Sequence, residues 1–218
     1  MILAVTGGKG GVGKSTVALN VAAELDAVVV DADLGMADLP DRRGPDLHDV
    51  LAGRADPIEA VDESGPIDLL PCGRSLHGLN AADPPRLVEA VETVEREYDR
   101  VVVDCPAGMS ADAGLPLHVA QRCLLVTCAD EFALPDAIRA RALARVLDAG
   151  IERLVLNMAG ESPPVDRVRS VFGTPVATVP RSDAVARAQR NGCPVSAVAP
   201  GDRATTQFES LAASLHST

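Results

Sequence analysis

The chain has 218 residues, 31 of them acidic and 20 basic, for a net charge of −11. Such a surface repels DNA and anionic lipid unless a local cationic patch intervenes, and no apolar run approaches the roughly 18 residues a membrane-spanning helix needs. Aromatics make up 2% of residues against 47% hydrophobic ones, so the core is built from Val, Leu and Ala, without tryptophan. The first element is the apolar run Ile2–Thr6, which suits a buried parallel strand. It leads into Gly8-Lys9-Gly10-Gly11-Val12-Gly13-Lys14-Ser15-Thr16. Beyond that run, Val17, Leu19, Val21, Ala22 and Leu25 supply the apolar face of a helix opening at Ser15.

Further strand-like runs follow at Ala27–Asp31, Ile67–Leu70, Arg100–Asp104, Arg122–Thr127, Arg153–Asn157 and Val176–Val179. Helical patterns lie between them at Pro85–Glu97, Leu134–Asp148 and Ser182–Asn191. In the first of these, Leu87, Val91 and Val94 share one face. Asp38–Pro45 and Asp62–Pro66 read as loops within a domain. The alternation predicts an α/β fold, a doubly wound and mainly parallel sheet with helices on both faces, formed as a single domain over 1–218.

The glycine-rich run carries the chemistry. Only two lysines occur in the chain, Lys9 and Lys14, against eighteen arginines, and both lie in it. A compact ammonium on a flexible stem is not interchangeable with a planar guanidinium. Strand, glycine-rich turn and helix N-terminus together aim free N–H groups and the positive end of a helix dipole at an anion. Backbone amides then wrap a polyphosphate, a lysine reaches its terminal phosphates, and a hydroxyl holds Mg²⁺. The run therefore predicts a bound nucleoside triphosphate in a P-loop NTPase. Two further strand ends carry acids, Asp31-Ala32-Asp33 and Asp104. Ligands collect at such carboxyl ends, so Asp33 and Asp104 are expected near the phosphates that Lys14 serves, where acids position Mg²⁺ and water.

Several segments resemble one family. The extra Lys9 is similar to the signature lysine of the deviant Walker A ATPases, Val30-Asp31-Ala32-Asp33-Leu34-Gly35-Met36-Ala37-Asp38-Leu39 to their switch I, and Val101-Val102-Val103-Asp104-Cys105-Pro106-Ala107-Gly108 to their Walker B and switch II. Leu156-Asn157, Val179-Pro180-Arg181-Ser182-Asp183-Ala184-Val185 and Asn191-Gly192-Cys193-Pro194-Val195 resemble their adenine-side segments. The chain thus resembles the MinD/ParA ATPases, most nearly the MinD-like branch, with an acidic, lysine-poor composition that suits strong salt. It departs from that pattern at Asp38, where Asn is frequent, in the short charged segment Pro40–Asp46, and at Ser182, where an acid is frequent.

The resemblance implies a chemistry for each position. Gly8 and the amides of Gly10, Gly11, Val12, Gly13 and Lys14 line the phosphate loop. Lys14 bridges the β- and γ-phosphates, Ser15 ligates Mg²⁺ and Thr16 touches the α-phosphate. Asp33 orients the attacking water close to Mg²⁺, and Asp104 holds the metal through water. Asn157 reads the adenine edge and Pro180 lines the base pocket. Lys9 reaches the phosphates of a partner in a nucleotide-sandwich homodimer. The implied activity is slow, partner-stimulated ATP hydrolysis that drives a dimerisation switch in cell division, spatial positioning or assembly.

Partners and location follow from the remaining pattern. The chain begins on its first strand, so no signal peptide and a cytoplasmic location are expected. Ala204–Thr218 carries Phe208, Leu211, Ala212 and Leu215 at helical spacing, with no Lys or Arg after Arg203. It reads as a core-packing helix, and direct membrane binding is not expected; an unidentified protein partner or activator would supply any membrane contact. Arg181, Arg187 and Arg190 leave open a ParA-like DNA-partitioning role, although solvated helix charges explain them in an acidic chain. The same P-loop subclass would also suit a nucleotide-dependent adaptor or a small-molecule ligase.

Five cysteines (Cys72, Cys105, Cys123, Cys128, Cys193) show no C-x-x-C spacing and are expected as free buried thiols. His48 is expected as a polar helix residue and Cys105 as a buried filler.

Overall fold

The computed structural model describes residues 1–35, 39, 43–73, 75–108, 111–130 and 133–216. The expected switch I positions 36–38, the first three residues of the charged segment 40–46 and the last two residues lie outside them. Among the described residues, β1 (Ile2–Thr6), β2 (Val28–Asp31), β3 (Leu69–Leu70), β4 (Val101–Asp104), β5 (Arg122–Cys128), β6 (Gly150–Ala159) and β7 (Val176–Pro180) form one sheet in the order β3-β2-β4-β1-β5-β6-β7. Every neighbouring pair is parallel. The helices are α1 (Lys14–Leu25), α2 (Leu47–Leu51), α3 (Leu76–Ala81), α4 (Arg86–Tyr98), α5 (Ala111–Val119), α6 (Ala133–Val146), α7 (Val165–Phe172), α8 (Asp183–Arg190), α9 (Val195–Val198) and α10 (Arg203–His216).

Alternate side chains of each inner strand enter opposite cores. Leu3 and Val5 join Val29, Val102 and Leu124 beneath α1, α8 and α10, while Ile2 and Ala4 join Val28, Val101 and Val103 beneath α2 and α4. Burial on both faces is why these strands read as unbroken apolar runs instead of alternating ones. A smaller cluster, Leu125, Leu154 and Leu156 against Val168 and Phe172, closes the β5–β6 end.

Most expected elements form close to their expected limits. α4 buries Leu87, Ala90, Val91 and Val94. α10 lies along α1 and β7 with Phe208, Leu211, Ala212 and Leu215 buried, so the last helix is a core element, as its spacing predicts. β6 differs, running from Gly150 to Ala159 instead of Arg153 to Asn157. It continues past Asn157 because a register shift against β7 between Leu156 and Ala159 lets Ala159 pair with Pro180. α3, α5 and α7 give no clear helical signal in the sequence. Two of them are shorter than nine residues, and α5 contains Pro116, normally a breaker.

Strand order places the site. Chain direction reverses about β1, which lies between β4 and β5, and ligands bind at such switch points. The register sets Val5 opposite Asp104 and Asp104 opposite Asp31, so the loops leaving β1, β2 and β4 meet at one edge.

Candidate functional site

The loop between β1 and α1 is shaped by two glycines that accept no side chain. A Cβ on Gly8 would run into the Asp136 backbone carbonyl of α6. Gly13 has φ 89°, the left-handed region, and a Cβ there would land on the Asn157 amide nitrogen. Gly13 is also the N-cap of α1 and offers no side-chain hydrogen bond, so the first-turn N–H groups are left to a ligand. We expect Gly13→Ala to weaken nucleotide binding at least about tenfold. Left-handed strain alone costs roughly 1–2 kcal/mol and Asn157 must also move; isothermal titration with ADP and with a non-hydrolysable triphosphate measures the loss.

Lys14, Ser15 and Thr16 form that first turn and are all buried. They line a cleft of about 570 Å³ together with Gly10, Gly11, Gly13, Asp33, Asn157 and Pro180. Val12 is buried in the core below the loop. Residues predicted from four separate segments are thereby brought into one cavity. Asp104 is not among the residues lining this cleft; it is almost fully buried, with its carbonyl accepting from Ala32 N–H at 3.0 Å. The neighbouring Cys105 thiol is pushed well above its ordinary pKa, first by burial and then by the Asp104 charge, while Lys14 opposes the shift. Cys105 is therefore an unreactive filler, and Lys14 and Asp104 both lie close enough to act on it.

The second lysine occupies a different setting. Lys9 lies on the outer side of the loop with its side chain 40% exposed, ion-paired to Asp130 at 3.4 Å. It lines an adjoining cavity of about 360 Å³ that shares Gly10, Gly11, Met158 and Arg181 with the main cleft. One loop thus carries one lysine turned inward and one facing out.

Several functional contacts give no signal in the sequence. Thr16 donates its hydroxyl to Gln189 Oε1 at 2.6 Å, linking α1 to α8 across the cleft. Asn157 Nδ2 donates to the Val12 carbonyl at 3.0 Å, bracing the phosphate loop while its remaining amide valences stay available. The β6 irregularity puts Met158 at φ 52°, uncommon for a non-glycine residue, immediately after Asn157. Ser182 caps α8, accepting from Ala184 and Val185 N–H, and donates to Asp202 at 3.0 Å, so an acid does stand beside this position.

His48 lies in a helix, α2, as expected, and is buried beneath the segment that carries Asp33. Cys72, buried beside it, has its thiol pKa raised by burial and then by the charges of Asp31, Asp33 and Asp46. Cys72, Cys105 and Cys123 are buried as expected, whereas Cys128 and Cys193 are partly exposed.

The residues present suit a magnesium-bound triphosphate. The open first turn and buried ammonium fit phosphate oxygens. Ser15, Asp33 and Asp104 supply hard oxygen donors. Among the described residues no three His, Cys, Asp or Glu side chains gather into a metal cage. Mg²⁺ keeps waters and phosphate oxygens and takes few protein ligands. Also among the described residues, no helix is long and apolar enough to cross a membrane.

Residues 3–195 match the family model of the CobQ/CobB/MinD/ParA nucleotide binding domain. An uncharacterized ATP-binding protein of Methanocaldococcus jannaschii is 32% identical over 172 residues, 73% of this chain and 65% of that relative, so the match spans just under two thirds of its length. A second such protein from the same organism is 30% identical over 229 residues, covering 98% of this chain and 86% of the relative. The septum site-determining protein MinD of Pyrococcus horikoshii OT3, solved in complex with Mg-ADP, is 28% identical and superposes with a TM-score of 0.91 over 98% of this chain and 95% of that one.

Proposed function

Because the chain belongs to the CobQ/CobB/MinD/ParA nucleotide-binding family, we propose that it is a Mg²⁺-dependent ATPase that dimerises around ATP and works as a positional or assembly switch. The observation that carries this reading is the opposed setting of its two lysines. Lys14 is buried in the first turn of α1, where it serves the chain's own phosphates. Lys9 stands outside, in contact with Asp130, where a second copy can meet it.

In this reading the amides from Gly10 to Lys14 hold the β-phosphate and Lys14 bridges it to the γ-phosphate. Thr16 exchanges its hydrogen bond to Gln189 for the α-phosphate. Ser15, Asp33 and Asp104 would hold Mg²⁺, which when bound would neutralise phosphate charge. Asp33 orients a water whose oxygen bonds to the γ-phosphorus as the bond to the β-bridging oxygen breaks, giving ADP and phosphate. Lys9 of the second copy supplies positive charge as that bond opens. Asn157 and Pro180 face the base.

Similarity to a MinD protein supports a role in spatial positioning, with a protein partner as reader of the ATP-bound dimer and any membrane attachment supplied by that partner. Loops that order around a γ-phosphate give such a reader two states to distinguish.

Asp33→Ala tests the reading. Loaded with Mg-ATP, it should bind nucleotide, fail to hydrolyse it and run at twice the monomer mass by light scattering, while the ADP form runs as a monomer. A single monomer mass for both the parent and Asp33→Ala chains with ATP would overturn the dimer. Parental hydrolysis by Asp33→Ala would remove its assigned role.

A further inference from the structure

We propose that His48 and Cys72 are positioning residues for hydrolysis, a side-chain clamp on the backbone of Asp33 and Leu34 that fixes where the Asp33 carboxylate points. The proposal rests on the reading of Asp33 as the water-orienting acid.

Asp33 lies just beyond β2, and side chains hold its peptide groups. The Asp33 N–H donates to Asp31 Oδ1 at 3.2 Å. The Cys72 thiol donates to the Asp33 carbonyl at 3.2 Å, and His48 Nε2 lies 3.1 Å from the Leu34 carbonyl. A carbonyl oxygen only accepts, so Nε2 carries the hydrogen, and the acceptor fixes the tautomer. The two side chains also meet each other, Sγ to Nε2 at 3.6 Å. Both are buried, His48 2% exposed and Cys72 1%.

The clamp is itself anchored. Asp46 closes a capping box with Asp49 at the start of α2. The Leu47 and His48 N–H groups donate to the Pro71 and Cys72 carbonyls at 2.8 and 3.2 Å, so α2 is docked on the chain leaving β3. Gly78 of α3 leaves the room His48 occupies, since a Cβ there would come within 3.0 Å of the His48 Cβ. Strand exit, helix start and switch segment are thus tied through two donors aimed at consecutive carbonyls. Aliphatic side chains of similar volume would fill the space but supply neither donor. The segment would then settle elsewhere, and a displacement near 1 Å at a catalytic group costs up to about a hundredfold in rate.

The test compares the full-length parent with His48→Phe, His48→Gln, Cys72→Ala, Cys72→Ser and Asp33→Ala. Steady-state ATP hydrolysis gives kcat, titration with a fluorescent ATP analogue gives affinity, and circular dichroism gives the melting temperature. The clamp predicts that His48→Phe and Cys72→Ala lower kcat roughly ten- to a hundredfold with nucleotide affinity within about threefold of the parent. His48→Gln, which keeps an N–H near the Nε2 position, and Cys72→Ser, which keeps a donor, should recover most of the rate. Parental kcat in folded His48→Phe and Cys72→Ala would overturn the clamp while leaving an inactive Asp33→Ala, and so the ATPase reading, intact. A parallel fall in kcat, affinity and melting temperature that Gln and Ser do not relieve would make the pair merely structural and likewise overturn it. If Asp33→Ala hydrolyses ATP as fast as the parent, the Asp33 assignment fails first and takes the clamp with it.

Discussion

Lys14→Ala should lose nucleotide itself. Lys14 is buried in the N-terminal turn of α1, within a cleft that it shares with the Ser15 and Thr16 hydroxyls and with the charged side chains of Asp33, Arg181 and Asp183. A hydrogen bond to a charged group contributes about 1.5–3 kcal/mol, and two phosphates share this one. Loss of about 3–5 kcal/mol corresponds to roughly two to three and a half powers of ten in Kd. Titration with a fluorescent ATP analogue should show that weakening for ATP and a smaller one for ADP, which lacks the γ-phosphate. The nucleotide-free melting temperature reports separately whether the variant stays folded. Unchanged affinity would remove Lys14 from the phosphates.

Lys9→Ala should do the opposite, binding ATP within about threefold of the parent but losing turnover and ATP-dependent dimerisation. Its resting contact with Asp130 is half in solvent, and exposed pairs of this kind are worth only about 0–1 kcal/mol. Exchange of Asp130 for a partner's phosphate therefore meets little resistance. A cation supplied in trans to a phosphoryl-transfer transition state is worth roughly 10³–10⁵ in rate, or about 4–7 kcal/mol. Hydrolysis assays and light scattering on the same samples check both effects. A Lys9→Ala chain that hydrolyses ATP at the parental rate would show that each subunit completes its own site.

The two lysines also show what the sequence makes legible and what it does not. The loop is readable because its glycines, lysine and hydroxyls are contiguous, and their order alone dictates a turn that opens a helix. Asp33 and Asp104 are readable because each terminates an apolar run, and parallel sheets gather such ends. The cross-links are another matter. Thr16 meets Gln189, Asn157 meets Val12 and Lys9 meets Asp130 across separations of 173, 145 and 121 residues. Only the order of strands brings those partners together, and order is a global property of the sheet. The burial of His48 is illegible for a related reason. A five-residue helix carries too little periodicity to reveal which of its faces is covered.

The last helix has an implication for how any partner can engage the protein. Phe208, Leu211 and Leu215 of α10 are sealed against α1 and the sheet. Exposing three such side chains would cost about 5–9 kcal/mol, a sum comparable with the entire 5–15 kcal/mol that keeps an ordinary domain folded. Peeling this segment away to grip another surface would be tantamount to denaturation. Any partner would therefore have to engage the protein with this helix left in place.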